Sequence, residues 1–246
     1  MNETLFEAAG ITVTITAVYS AASVLILILF MCLWLIGRKK RTRQPLFAGQ
    51  VMNGVGFGLL PALAVLKGFQ EMSTGKGAEV FEPLPRIQWL TEEGFFRPGR
   101  IETAATLVCF VVLCLWLIIR RKELPDNGDL FMISLCLWAA IRLVTEDYRA
   151  EPQNLFRFTS CGTMLGCLII TVFRRSRIRP DPGRTVLDLL AAGICTAINL
   201  ITASKILNVG SQIGDYAIKT GSALLLLLIT LIVGGDLRKM IQKGEE

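Results

Sequence analysis

From Ile11 to Ile36 the chain carries no charged residue, and six later stretches are nearly as apolar. An uncharged run of this length exceeds the roughly 20 residues that cross the hydrocarbon core of a bilayer as a helix. The runs fall at about 11–36, 46–66, 101–119, 130–148, 158–173, 185–207 and 218–235. The second is interrupted by glycines and Pro61, and the fifth is short. The pattern predicts an all-α polytopic membrane protein, a bundle of about seven transmembrane helices. A hydrophobic content of 52% agrees, since few soluble cores need that much.

Charge decides the orientation. "RKKRTR" (38–43) follows the first run, "RRK" (120–122) the third and "RRSRIRPDPGR" (174–184) the fifth, while Arg238, Lys239 and Lys243 follow the seventh. The intervening loops, 71–100, 145–157 and 207–217, are acidic or mixed. Basic loops stay inside, so every loop agrees on an N-terminus outside and a C-terminus inside. The net charge of +6 is thus a topology signal and not a nucleic-acid footprint. "MNETLFEAAG" has no basic leader, so the first run is expected to remain as a helix.

Composition narrows the chemistry. The chain has no histidine, which removes imidazole as a base or metal ligand. Its seven cysteines lie singly inside apolar runs, as small hydrophobes, and no metal or cofactor is expected. "CLWLI" occurs at 32–36 and again at 114–118; convergence accounts for this better than a repeat, with Trp34 and Trp116 in an aromatic belt.

Within the fourth run stands Arg142. Counted from Leu130 it lies about 18 Å along a helix, in the outer half of the membrane. Trp138, Arg142, Glu146 and Arg149 recur at four, four and three residues, so they share one face. An intramembrane arginine is costly unless it is paired or wet, which makes it a functional candidate. The competing reading is an Arg142–Glu146 pair that anchors the helix by snorkelling. The fork of a guanidinium also suits a phosphate. Elsewhere, Gly54 and Gly58 in "NGVGFG" (53–58), and Gly162 and Gly166, form G-x-x-x-G pairs that predict close helix packing. The sixth run carries Asp188, Thr196, Asn199, Thr202 and Lys205; Asn199 needs an interhelical partner or a polar cavity. The loop 71–100, with Phe81, Trp89, Phe95 and Phe96 among prolines and acids, is expected to lie on the membrane or over a cleft.

Residues 97–175 run "RPGRIETAATLVCFVVLCLWLIIRRKELPDNGDLFMISLCLWAAIRLVTEDYRAEP" and then "TSCGTMLGC". This order resembles the C-terminal half of the bacterial prolipoprotein diacylglyceryl transferases: a motif ending in Glu, an apolar helix, a basic loop, "GDLF", a helix holding Arg and Glu, then "R-x-P-D" and "T-M-G-Q". Arg142 and Glu146 fall on the family's Arg and Glu, Arg149–Pro152 on its "R-x-P", and Glu102 on the first motif's final Glu. Glu71 falls near the end of the family signature. The likeness covers roughly residues 20–175. The chain lacks the signature's arginine and both asparagines in "LPALAVLKGFQE" (60–71), and the His, Gln and Tyr of the first motif.

The resemblance implies residues 1–180 as a transferase-like membrane domain and 181–246 as two added helices with a tail. It implies a bacterial plasma-membrane enzyme that moves a diacylglyceryl group from phosphatidylglycerol to a lipobox cysteine of a prolipoprotein signal peptide. Arg142, Glu146 and Glu102 would then be catalytic, with Trp138, Arg149, Glu71 and Asn199 at the substrate. The alternative is a non-catalytic relative that binds lipid headgroups or serves as a scaffold or partner subunit. A small-solute transporter is disfavoured by the lack of detectable inverted repeats.

Overall fold

The computed structural model describes residues 4–8, 11–42, 48–73, 91–92, 95–119, 128–146, 154–178 and 181–203, with scattered positions between 220 and 232. Among the described residues the fold is all-α, with two short β ribbons beside six helices. β1 (Thr4–Ala8) pairs antiparallel with β2 (Ile11–Thr14), and β3 (Thr91–Glu92) with β4 (Phe95–Phe96). The helices are α1 (Ile15–Thr42), α2 (Ala48–Ser73), α3 (Pro98–Ile119), α4 (Asp129–Thr145), α5 (Asn154–Ile178) and α6 (Pro182–Ala203).

Four segments are long and apolar enough to cross a membrane: Ile15–Gly37, Ala48–Lys67, Pro98–Ile119 and Leu155–Arg177. By length and composition the chain is a multi-pass membrane protein. At 17 residues, α4 is shorter than these. The seventh expected run, 218–235, lies outside the described residues except at scattered positions, which are helical.

The first helix starts later than its apolar run. Ile11–Thr14 is rich in β-branched residues and pairs as a strand, with Ala8 opposite Ile11 across the turn. Thr14 then closes the helix start, its hydroxyl accepting the Ala17 N–H at 3.2 Å. α5 departs the other way and extends beyond 158–173 at both ends. Its ends hold Arg157 and Arg175, 4% and 2% exposed, which a reading for apolar residues leaves out. α6 begins at Pro182, with Asp181 as its cap: Asp181 Oδ1 accepts the Arg184 N–H at 3.2 Å.

The described backbone forms two compact units, one of α1, α2, α3 and the start of α4 through Ser134, the other of α4 from Leu135 together with α5 and α6. In the first, α2 packs against both α1 and α3. Phe30, Trp34, Phe57 and Phe110 knit the three helices with ring centroids 5.4–5.7 Å apart. Trp34 packs on Phe57 with its Nε1 buried. The Ser23 hydroxyl donates to the Ala62 carbonyl at 2.8 Å, and the Thr103 hydroxyl to that of Ala64 at 3.5 Å.

"NGVGFG" serves two neighbours. A methyl at Gly58 would meet the Leu27 carbonyl oxygen at 2.7 Å, and one at Gly54 would meet Met31, so this pair fits α1 closely. Gly56 instead meets the start of α4. There Gly128 takes φ +82°, a conformation open to glycine, and the Leu130 N–H donates to Asn53 Oδ1 at 2.9 Å. Asn53, fully buried, thus caps α4 from α2. The second pair does not behave as expected: nothing lies within 4 Å of a methyl at Gly162 or Gly166, since that side of α5 is open among the described residues.

Orientation has a direct test. Single cysteines in a cysteine-free background should label from outside at Gly75 and only after permeabilisation at Thr42. The opposite pattern would invert the topology.

Candidate functional site

Arg142 sits in the last turn of α4. Its guanidinium carbon lies 4.0 Å from the Phe156 ring centroid and 5.5 Å from that of Trp138. Trp138 is one turn back on the same helix, and Phe156 lies in the first turn of α5. The expected pairing with Glu146 is not made: among the described residues no ion pair joins Arg142 to Glu146. A helical ion pair at this spacing is worth only about 0.2–0.5 kcal/mol. A guanidinium on an aromatic face gains about 0.5–2 kcal/mol, more as it is desolvated, so the ring prevails.

The two rings flank the guanidinium, whose N–H groups point along its edge. Nε is buried with no hydrogen-bond acceptor among the described residues, and Trp138 Nε1, one turn away, is in the same condition. Two donors facing inward without acceptors suit an anion or an ester oxygen better than a cation. Glu146, 1% exposed, follows directly after α4. Arg157, 4% exposed, follows Phe156 on α5.

Glu102 belongs to the other unit. It is 1% exposed in the second turn of α3, and its Oε2 lies 3.7 Å from Lys67 Nζ of α2. The Thr106 hydroxyl donates to the Glu102 carbonyl at 2.6 Å, which holds this turn of α3. Lys67, itself 7% exposed, was not among the candidates; its signal is a lone lysine closing the apolar run "LLPALAVLK". Arg149 and the side chains of Glu71 and Asn199 lie outside the described residues. The loop 71–100 does too, except that α2 continues to Ser73 and its last residues form the β3–β4 ribbon and the start of α3. In α6, Asp188 pairs with Arg175 at 2.6 Å, and the Thr196 hydroxyl is buried without a hydrogen-bond partner among the described residues.

Among the described residues the cysteines at 32, 109, 114, 136, 161 and 167 form no disulfide, and the last three are buried, as small hydrophobes would be. Compared with known proteins, the chain matches no family model, no curated protein and no solved structure.

Proposed function

We propose that the protein is a divergent relative of the prolipoprotein diacylglyceryl transferases in a bacterial plasma membrane. In this reading it takes the phosphate of an outer-leaflet phosphatidylglycerol on Arg142 and passes the diacylglyceryl group to a lipobox cysteine. The carrying observation is Arg142 itself: a guanidinium beside two aromatic rings, with a buried Nε that lacks an acceptor among the described residues. A phosphate on its N–H fork would receive parallel hydrogen bonds, which gain strength where water is excluded. The transfer forms a sulfur–carbon bond and breaks the carbon–oxygen bond to phosphate. Glycerol phosphate leaves, and the thiol proton ends on it or on solvent. Positive charge at the phosphate favours that departure.

One observation favours the second reading, a relative that binds the headgroup without transferring the lipid. Glu102, to which the resemblance gives a chemical role, is ion-paired with Lys67. That carboxylate is engaged with a lysine of α2 and not set against a thiol. With no histidine in the chain, thiol activation then falls to Glu146 or to solvent.

Purified protein incubated with labelled phosphatidylglycerol and a lipobox peptide separates the two readings. Label on the peptide supports the transferase; retained lipid with no transfer supports the binder. In both, Arg142→Ala should weaken phosphatidylglycerol binding by roughly tenfold to a hundredfold, the worth of a charged hydrogen-bonded contact. Arg149→Ala should do much less, and Arg142→Lys should be impaired because an ammonium lacks the fork. Lipid binding by Arg142→Ala equal to the parent's would end the assignment of this site.

A further inference from the structure

Trp138 and Arg142 stand four residues apart on α4, within the same compact unit. In the orientation that the loop charges imply, α4 runs outward, so Trp138 lies one turn, about 6 Å, deeper than Arg142. Side chains on a helix tilt towards its N-terminus, which brings the Arg142 guanidinium back over the indole. The guanidinium carbon is 5.5 Å from the Trp138 ring centroid.

Both side chains are half-buried, so the pair borders its surroundings and is not sealed in a core. Among the described residues no hydrogen bond or ion pair engages the Arg142 side chain, which meets only the two rings. Trp138 Nε1 is buried and has no acceptor there either. An indole donates through this one N–H and accepts nothing, so an acceptor is the only partner that satisfies it. Leaving such a donor unmet is costly where water does not reach it.

A glycerophospholipid presents acceptors in the same order and the same direction. Its phosphate lies at the surface, and its acyl ester carbonyls follow inward, a few covalent bonds of about 1.5 Å each from the phosphate. Below them the acyl chains carry no hydrogen-bonding group. The charged phosphate suits the guanidinium fork, and the neutral carbonyl suits the single neutral donor beneath it.

We infer that Trp138 reads an ester carbonyl of the lipid whose phosphate Arg142 takes, so that the site selects acyl-linked over alkyl-linked glycerophospholipids. An alkyl chain joins glycerol through an ether, which has no carbonyl to offer and leaves Nε1 unmet. The inference rests on the phosphate reading of Arg142 but not on any transfer of the lipid. It makes Trp138 a specificity-determining residue as well as a ring beside the guanidinium.

The test compares phosphatidylglycerol carrying two acyl esters with its dialkyl ether analogue of the same chain length. Each is titrated onto the detergent-solubilised full-length protein, and bound lipid is counted by native mass spectrometry. The parent should hold the ester form roughly tenfold more tightly, the difference between a buried donor met and unmet. Trp138→Phe keeps a ring beside Arg142 but removes the N–H, and should hold the two lipids equally. Trp34→Phe removes another buried indole N–H without an acceptor, in the other unit against Phe57, and should leave the preference intact. A parent that holds both lipids equally, or a preference that survives Trp138→Phe, overturns the inference. Arg142→Ala keeps the two readings apart. If it loses both lipids while the parent shows no preference, only the carbonyl contact fails. If it binds phosphatidylglycerol as the parent does, the phosphate reading fails and this inference with it. Should Trp138→Phe not fold, the parent's own ratio decides: a preference for the ester supports the inference, and equality overturns it.

Discussion

Gly56→Ala is expected to be the most damaging of the glycine substitutions. The added methyl would lie 2.5 Å from the Phe131 nitrogen and 2.7 Å from the Leu130 carbonyl carbon. Both are backbone atoms of the first turn of α4, which no rotamer change can move. Overpacking usually costs about 1–3 kcal/mol, and a clash with backbone falls at or beyond the upper end of that range. Separating the helices also strains the bond from Leu130 to Asn53, adding the loss of a cap, about 1 kcal/mol. Thermal unfolding in detergent should show the largest fall for Gly56→Ala. Gly58→Ala should follow, because it meets the Leu27 carbonyl, and then Gly54→Ala, whose nearest contact is the flexible Met31 side chain. Gly162→Ala meets nothing within 4 Å and should be neutral or stabilising, by up to about 1 kcal/mol from helix propensity. Equal melting of Gly56→Ala and Gly162→Ala would refute the close approach of α2 to α4.

The second large effect is expected at the far end of α5, and it should be asymmetric. Asp188→Ala leaves Arg175, 2% exposed, as a buried cation without its carboxylate. Breaking a buried pair in this way typically costs about 3–5 kcal/mol. Arg175→Met leaves Asp188, 21% exposed, able to reach water or headgroups, and should cost less. Replacing both by leucine should recover most of the loss, because the pair's desolvation penalty disappears with its attraction. A double-mutant cycle on unfolding free energies measures this coupling. Additive single losses would mean that the two charges do not depend on each other.

Of the described helices, α3 kept closest to its apolar run. For α3 the expected start at 101 moved only to Pro98, a residue suited to the first helical position. α5 was harder to delimit because Arg157 and Arg175 look like loop charges in a sequence and turn out to be buried helix residues. Arg142 was legible as a charge out of place, and Trp138 as its neighbour by helical spacing. Phe156 was not, because its contact with Arg142 joins two helices and no periodicity connects them. The Lys67–Glu102 pair was hidden for the same reason. Asn53 was hidden in another way: the glycines around it drew the eye, and one buried amide among them gives no pattern.

That asparagine makes the beginning of α4 depend on chain synthesised well before it. Leu130 lies 77 residues after Asn53. At ordinary elongation rates of about 5–20 residues per second, α2 leaves the ribosome roughly 4–15 s ahead of the amide that it will accept. The acceptor is thus in place first, and α4 can find its start as it emerges. The opposite order would leave an uncapped helix end facing lipid until its partner arrived. A circular permutation that moved α2 behind α4 would keep the same final contacts but impose that wait, and should lower the yield of folded protein more than its equilibrium stability.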